Sequence, residues 1–349
     1  MITTKTNAET SKRVVAQMAT QTVTQMESLP DAYELFAGMR DSCRQRVQGR
    51  DDVIDLAIIA LLSDGHILLE DHPGSGKTTL AKALGECIVR KKSDSQMASF
   101  RRIQFTPDLL PSDVTGTTIF DPDSNTFQYR PGPVFANLVL ADEINRTSPK
   151  VQASLLEAMG EKQVTVDNTT HELEELFFVM ATQNPLDLMG TYPLPRAQLD
   201  RFLFKIHMTF LERESELDVL SRWGNAQKAP KLFAAVPRAF VLARKVIGEN
   251  INVSKTIHEC LVDIANELRN HPKVAQGVST RCLVNSIAAL QTLAMTQGRE
   301  FVTPDDIRAI SKPLFSHRLE LIPGVKDVDS IVEECVKPVL DAAARKSLK

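Results

Sequence analysis

Asp71-His72-Pro73-Gly74-Ser75-Gly76-Lys77-Thr78-Thr79 decides how this chain is read. The stretch follows a short apolar run, Ile67-Leu68-Leu69, and leads into Leu80-Ala81-Lys82-Ala83-Leu84, which has a helical pattern. Strand, glycine turn and helix in that order form the setting in which backbone N–H groups wrap a polyphosphate. Gly74 and Gly76 let the backbone approach the phosphates, with Pro73, Ser75 and Thr79 completing the loop. Lys77 reaches the β- and γ-phosphates as a point charge, and the Thr78 hydroxyl ligates Mg²⁺. The full G-x-x-x-x-G-K-[ST] pattern has glycine where this chain has Asp71.

About sixty residues further on stands Leu138-Val139-Leu140-Ala141-Asp142-Glu143, an apolar strand ending in two acids. It sets Asp142 near the Mg²⁺ and Glu143 near an attacking water. A glycine-rich turn would explain the first segment alone, and a solvated turn the second. Together they imply a nucleoside triphosphatase using Mg²⁺.

The remaining composition is that of an ordinary globular protein. At 349 residues, 43% hydrophobic and 24% charged, the chain predicts two domains plus an extension. A net charge of -3 supplies no general pull toward nucleic acid or an anionic membrane. Cys43, Cys87, Cys260, Cys282 and Cys335 lack C-x-x-C spacing, so neither a disulfide framework nor a zinc site is expected. Met1 to Arg13 are polar, and no run approaches the ~20 apolar residues of a membrane span, which predicts a cytoplasmic protein.

Four parts are expected along the chain: a helical or disordered extension over 1–42, a nucleotide-binding core over 43–210, a connector over 211–235 that includes Trp223 to Pro230, and a helical domain over 236–349. Within the core, strand patterns at Ile67–Leu69, Arg102–Phe105, Leu138–Ala141 and Phe177–Ala181 alternate with helical ones, and Leu199–Ile206 ends the series. That alternation predicts an α/β fold with a parallel sheet, whose ligand lies at the carboxyl ends of the strands. Thr117–Phe120 with Thr126–Tyr129, and Gln163–Val166 before Asp167-Asn168, read as inserted β-hairpins, either structural flaps or substrate-engaging loops. From 236 onward apolar residues recur at spacings of three and four, as at Leu261, Ile264, Ala265 and Leu268, which predicts a small helical bundle.

Longer strings narrow the class. Arg102-Ile103-Gln104-Phe105-Thr106-Pro107-Asp108-Leu109-Leu110-Pro111-Ser112-Asp113, Arg130-Pro131-Gly132-Pro133-Val134-Phe135 and Asp142-Glu143-Ile144-Asn145-Arg146 resemble the MoxR family of AAA+ ATPases. So do Ala181-Thr182-Gln183-Asn184-Pro185 and Tyr192-Pro193-Leu194-Pro195 running into Gln198-Leu199-Asp200-Arg201-Phe202. The resemblance covers roughly residues 45 to 345. It implies a P-loop AAA+ core followed by a small helical lid, and it implies residue roles that spacing does not give. Asn184 stands as the first sensor, holding water or the γ-phosphate. Arg281, preceded by Thr280 where relatives have proline, stands as the second sensor, reaching from the lid. Arg201 stands as the arginine finger offered to a neighbouring subunit's ATP, with a salt bridge to Asp200, or to an acid inside its own domain, as its plain alternative. Arg196 is a weaker candidate for the same role, Gln104 a residue that restrains Glu143, and Gly49 and Arg50 the adenine contacts. His72 is read as a solvent-facing loop residue.

The resemblance further implies a homo-oligomeric ring, a hexamer, that remodels or activates a protein client, often one with a von Willebrand factor A domain. A nucleic-acid-translocating motor and a slow nucleotide switch are the rival readings. Against the motor stand the acidic balance, the lack of an appended helix-turn-helix or zinc module, and an aromatic content of only 5%, which leaves few rings to stack on bases.

Overall fold

The structure, a computed structural model, describes residues 26–71, 74–90, 97–184, 190–222 and 233–347. Its strands in chain order are β1 (Ile67–Asp71), β2 (Ala98–Gln104), β3 (Gly116–Asp121), β4 (Thr126–Pro131), β5 (Ala136–Asp142), β6 (Gln163–Val166), β7 (Thr169–Glu172), β8 (Phe178–Gln183), β9 (Phe204–Met208), β10 (Val274–Gln276) and β11 (Glu320–Leu321). Five of them form the parallel central sheet, in the order β2-β5-β8-β1-β9. The inner strands β5 and β8 are apolar runs because both faces are covered. Leu69, Leu138, Leu140, Phe178 and Met180 join one core cluster, with the helices Leu29–Arg44, Asp51–Leu62 and Lys77–Glu86. Their neighbours Leu68, Val139, Ala141, Val179 and Ala181 join the other, under the helix Pro149–Glu161. Alternation with period two thus splits each strand between two layers of core.

The helix Leu29–Arg44 starts at a capping box, with Ser28 and Asp31 bonding each other's backbone N–H and Pro30 in the first turn. Its buried face, Leu35, Phe36, Met39 and Cys43, belongs to the core, so it runs through the expected boundary at residue 42. Part of the expected connector is also regular, as the helix Arg213–Arg222. Residues 1–25 of the predicted extension, and Trp223 to Pro230, lie outside the described residues. Both hairpins form: β3 with β4 and β6 with β7. At the foot of the first, Gly116 has φ +102°, and a Cβ there would lie 2.3 Å from the Arg130 carbonyl oxygen, so only glycine lets the two strands close.

Five helices build the domain after residue 235: Pro237–Asn250, Lys255–Asn270, Thr280–Thr296, Pro304–Phe315 and Val328–Ser347, with β10 and β11 as a small antiparallel pair. Its docking place matters for function. Ser63 Oγ donates to the Ala288 carbonyl (3.2 Å) and meets Thr292 Oγ1 (2.9 Å), while Arg244 donates to Asp64 (2.6 Å) and to the Leu61 carbonyl. Ser63 and Asp64 lie just before β1. On the other side, Arg318 donates to Asp200 (2.9 Å) and to the carbonyls of Phe202 and Leu203, which lead into β9. The helical domain therefore docks on the amino-terminal edge of the sheet. Among the described residues no helix is long and apolar enough to cross a membrane.

His66 sits beneath the sheet at that edge. Its Nδ1 accepts from the Val179 N–H (3.1 Å) and its Nε2 faces the Met159 carbonyl (3.2 Å), which fixes a neutral ring with the proton on Nε2. Burial pushes its pKa down to about 4, and burial with the neighbouring Arg318 charge pushes that of His317 down as well. Unfolded histidine titrates near 6.5, so between about 6.5 and 4 the unfolded chain binds more protons than the folded one. Stability is present in full above that window and is lost as pH falls through it. Urea midpoints should drop from pH 7 to pH 4.5, and His66→Gln should flatten that slope. A slope identical to the parent's would show that His66 does not contribute to it.

Candidate nucleotide site

β1 delivers the chain to the carboxyl edge of the sheet, where Gly74 (φ +89°) and Gly76 (φ +95°) take the left-handed conformation. A side chain is disfavoured at both, although a Cβ would meet nothing within 4 Å: the backbone bend demands glycine, and the space above it is open. Gly76 is the N-cap of the helix Lys77–Glu86 and supplies no side-chain cap, so the first N–H groups of that helix have no capping side chain. Lys77 and Thr78 are its first residues and are half-buried, whereas Thr79 is exposed. The Ser75 hydroxyl is buried without a hydrogen-bond partner. An unpartnered hydroxyl beside uncapped amides and a lysine suits a polyphosphate. His72 and Pro73 lie outside the described residues.

Asp142 ends β5 and is 8% exposed. Glu143 follows with φ +57°, a left-handed conformation unusual for a residue with a side chain. Thr182 of β8 secures both: its hydroxyl donates to Asp142 Oδ1 (2.8 Å) and accepts from the Glu143 N–H (2.9 Å). The second Asp142 oxygen is held by Arg102, with Nη2 at 2.6 Å and Nε at 3.1 Å. Gln104 joins the set, accepting from Arg102 Nη2 (2.7 Å) and donating to Glu143 Oε2 (2.9 Å), which Arg146 also faces at 3.3 Å. Thr182 and Arg102 were within the strings that carry the family resemblance, but no role attached to them. Their signal is the two-residue strand period that puts Arg102 and Gln104 on one face of β2. Asn184 directly follows β8 and is half-buried, so it shares the carboxyl edge with Gly74 and Asp142.

Gly49 (φ +65°) and Arg50 stand beside this edge. A Cβ on Gly49 would lie 2.5 Å from Ser215 Oγ, and the buried Arg50 donates through Nη2 to the carbonyl of Thr209, just after β9. The Arg50 guanidinium thus serves the backbone just after β9.

Arg201 lies elsewhere. Parallel pairing of Ile67 with Phe204 puts the residues before β9 at the amino edge, a strand length of roughly 16 Å from the phosphate loop of the same chain. There Arg201 rests beside Gly160 and donates to the Ala197 carbonyl (3.3 Å). Its alternative role is not what the structure shows: Asp200 bonds Arg318 (2.9 Å) and Ser279 (3.0 Å). Arg196 is engaged as well, with the carbonyl of Leu319 and with Glu320 (3.3 Å). Arg281 is exposed in the first turn of Thr280–Thr296, two residues after Ser279, and so lies near Asp200 and Arg201 at the amino edge. Arg281 is expected to reach phosphates from the lid, and with the helical domain at the opposite edge of the sheet it stands a strand length away from the phosphate loop of its own chain.

A parallel sheet in this order, a phosphate loop after its β1 strand, two acids after the neighbouring-but-one strand and a helical domain behind define a AAA+ nucleoside triphosphatase. Residues 66–204 match the ATPase family associated with various cellular activities (AAA), and 266–335 match the AAA lid domain. The chain is 43% identical over 313 residues to the uncharacterized protein YeaC of Bacillus subtilis, covering 89% of this chain and 95% of that one. It is 36% identical over 290 residues to chaperone MoxR1 of Mycobacterium tuberculosis, covering 79% and 73%. A crystal structure of a proposed ATPase from Cytophaga hutchinsonii superposes with a TM-score of 0.77 at 32% identity, over 92% of this chain and 97% of that one. The chain belongs to the MoxR family of AAA+ ATPases, and its activity is ATP hydrolysis.

Proposed function

We propose that copies of this chain assemble into a ring, a hexamer, that hydrolyses Mg-ATP between subunits and uses the motion to remodel, mature or activate a partner protein. The observation that carries the reading is the placement of Arg201 at the edge of the sheet opposite its own phosphate loop. It reaches the charge developing on a transferred phosphoryl group only in a neighbour's site. Gly74, Ser75, Gly76 and Lys77 would hold the polyphosphate, and Thr78 and Asp142 would hold Mg²⁺, which offsets phosphate charge when bound. Glu143 orients and deprotonates the attacking water, Asn184 holds it in line, and Arg201 and Arg281 arrive from the adjacent copy. Specific activity should therefore rise with protein concentration as rings form, read as ATP turnover alongside mass by light scattering. Full activity in a monomeric sample would end this reading.

The hairpins supply a surface for a client. Phe120 and Phe127 pair edge to face at 5.2 Å on β3 and β4, 46% and 73% exposed, beside a turn fixed by Asp121 bonds to Ser124 and Gln128. Tyr129 stacks on His171 at 3.7 Å, which ties this hairpin to β6–β7. A client with a von Willebrand factor A domain, met in the cytoplasm, fits the family resemblance. Capture with Glu143→Gln and ATP should recover it, and adding Phe120→Ser with Phe127→Ser should cut recovery about tenfold at unchanged ATP binding. Equal recovery would remove the hairpin tip from client contact, and nucleic acid alone in the eluate would favour a motor.

A further inference from the structure

The acid pair is not open to a cation in this arrangement. Asp142 is almost buried, and both its oxygens are taken, Oδ1 by the Thr182 hydroxyl and Oδ2 by two nitrogens of Arg102. Arg102 in turn orients Gln104, whose amide holds Glu143. A guanidinium is a fixed positive charge with several donors, so it meets the same need at a carboxylate that a divalent cation meets. Arg102 itself is half-exposed, on the edge strand of the sheet. β2 then continues, past a bond from the Phe105 N–H to the Asp142 carbonyl (2.9 Å), toward the client-side hairpin β3–β4.

We propose that Arg102 is a built-in competitor of the divalent cation: it occupies Asp142 Oδ2 and, through Gln104, keeps Glu143 turned away until Mg²⁺ and nucleotide together displace it. The proposal rests on Asp142 being the metal-side carboxylate. Arg102 is a positioning residue in this scheme and touches neither water nor phosphate. Its release frees Asp142 Oδ2 and, because Gln104 loses the partner that orients it, loosens the hold on Glu143, which Arg146 still faces at 3.3 Å. Pull or push on β2 from the hairpin would shift Arg102 and so change the Mg²⁺ requirement of the site.

The test is the Mg²⁺ dependence of nucleotide binding, read with a ribose-labelled, non-hydrolysable fluorescent ATP analogue on the full chain at constant ionic strength. The half-saturating Mg²⁺ concentration should fall about fivefold in Arg102→Gln, the size expected for one partly exposed charged contact. Arg102→Lys, which keeps the charge but not the paired donors, should lie between that variant and the parent. Affinity for the analogue in EDTA should stay within about twofold of the parent, because no phosphate contact is removed. Asp142→Asn should abolish the Mg²⁺ dependence in either background. If Asp142→Asn does so while Arg102→Gln leaves the Mg²⁺ requirement unchanged or raises it, the competitor role is wrong and the metal site stands. If Arg102→Gln weakens binding in EDTA, Arg102 is a phosphate ligand and the proposal fails. If Asp142→Asn leaves the Mg²⁺ dependence intact, the metal-side assignment falls and takes the proposal with it.

Discussion

Arg201→Ala should slow ATP hydrolysis by about 10³-fold while ATP still binds, the loss typical of removing an arginine finger. Glu143→Gln should be equally inactive, because the group that deprotonates water is gone while the phosphate loop is untouched. Mixed in equal amounts, the two should regain activity. A site in an Arg201→Ala copy keeps its own Glu143 and receives Arg201 from a Glu143→Gln neighbour, which in random rings holds for about a quarter of the interfaces. Silence in mixed rings would show that Arg201 does not act across the boundary. The same experiment distinguishes the two placements of Arg281. If it acts on its own chain's nucleotide, Arg281→Ala and Glu143→Gln cannot rescue each other. Its place beside Ser279 and Asp200, near Arg201, predicts that they do. Arg201→Ala mixed with Arg281→Ala should stay silent, since one neighbour must bring both arginines to a single site.

The phosphate loop, the acid pair and both hairpins were legible because each is local. Glycine where φ is positive, alternation with period two and acids at a strand end all report on a few adjacent residues. The docking place of the helical domain was not legible. A helix such as Lys255–Asn270 announces which of its faces is apolar, through Leu261, Ile264 and Leu268, but not what that face meets. The edge of the sheet that receives the lid is set instead by Ser63, Asp64 and Asp200, which hold it away from the phosphate loop of the same chain. Arg102 escaped for a related reason. Its two-residue step to Gln104 is visible in the sequence, yet the register that sets Gln104 opposite Asp142 belongs to the β2–β5 pair and leaves no local trace. The boundary at residue 42 cuts a helix whose apolar face, Leu35, Phe36, Met39 and Cys43, belongs to the core, because helical periodicity alone does not say which body that face packs against.

Arg318→Met should be the most damaging single substitution for folding. The Arg318 side chain is 2% exposed and donates to Asp200 Oδ1 (2.9 Å), to the Phe202 carbonyl (2.6 Å), to the Leu203 carbonyl (3.1 Å) and to that of Leu314. Methionine fills the space but satisfies none of these groups, and three carbonyls and a carboxylate are left facing an apolar side chain. Breaking a buried ion pair from one side costs about 3–5 kcal/mol, far more than a surface contact. The urea midpoint should shift accordingly. Asp200→Asn should cost much less, since Asp200 is a quarter exposed and the carbonyl bonds of Arg318 survive it. Arg318 also anchors the residue next to Arg201. Arg318→Met rings that still form should therefore fail as donors of Arg201 when mixed with Arg201→Ala copies, while their own phosphate loops bind ATP normally. A midpoint within about 0.5 kcal/mol of the parent's, the range of ordinary surface changes, would mean that the Asp200 clamp does not hold the two domains together.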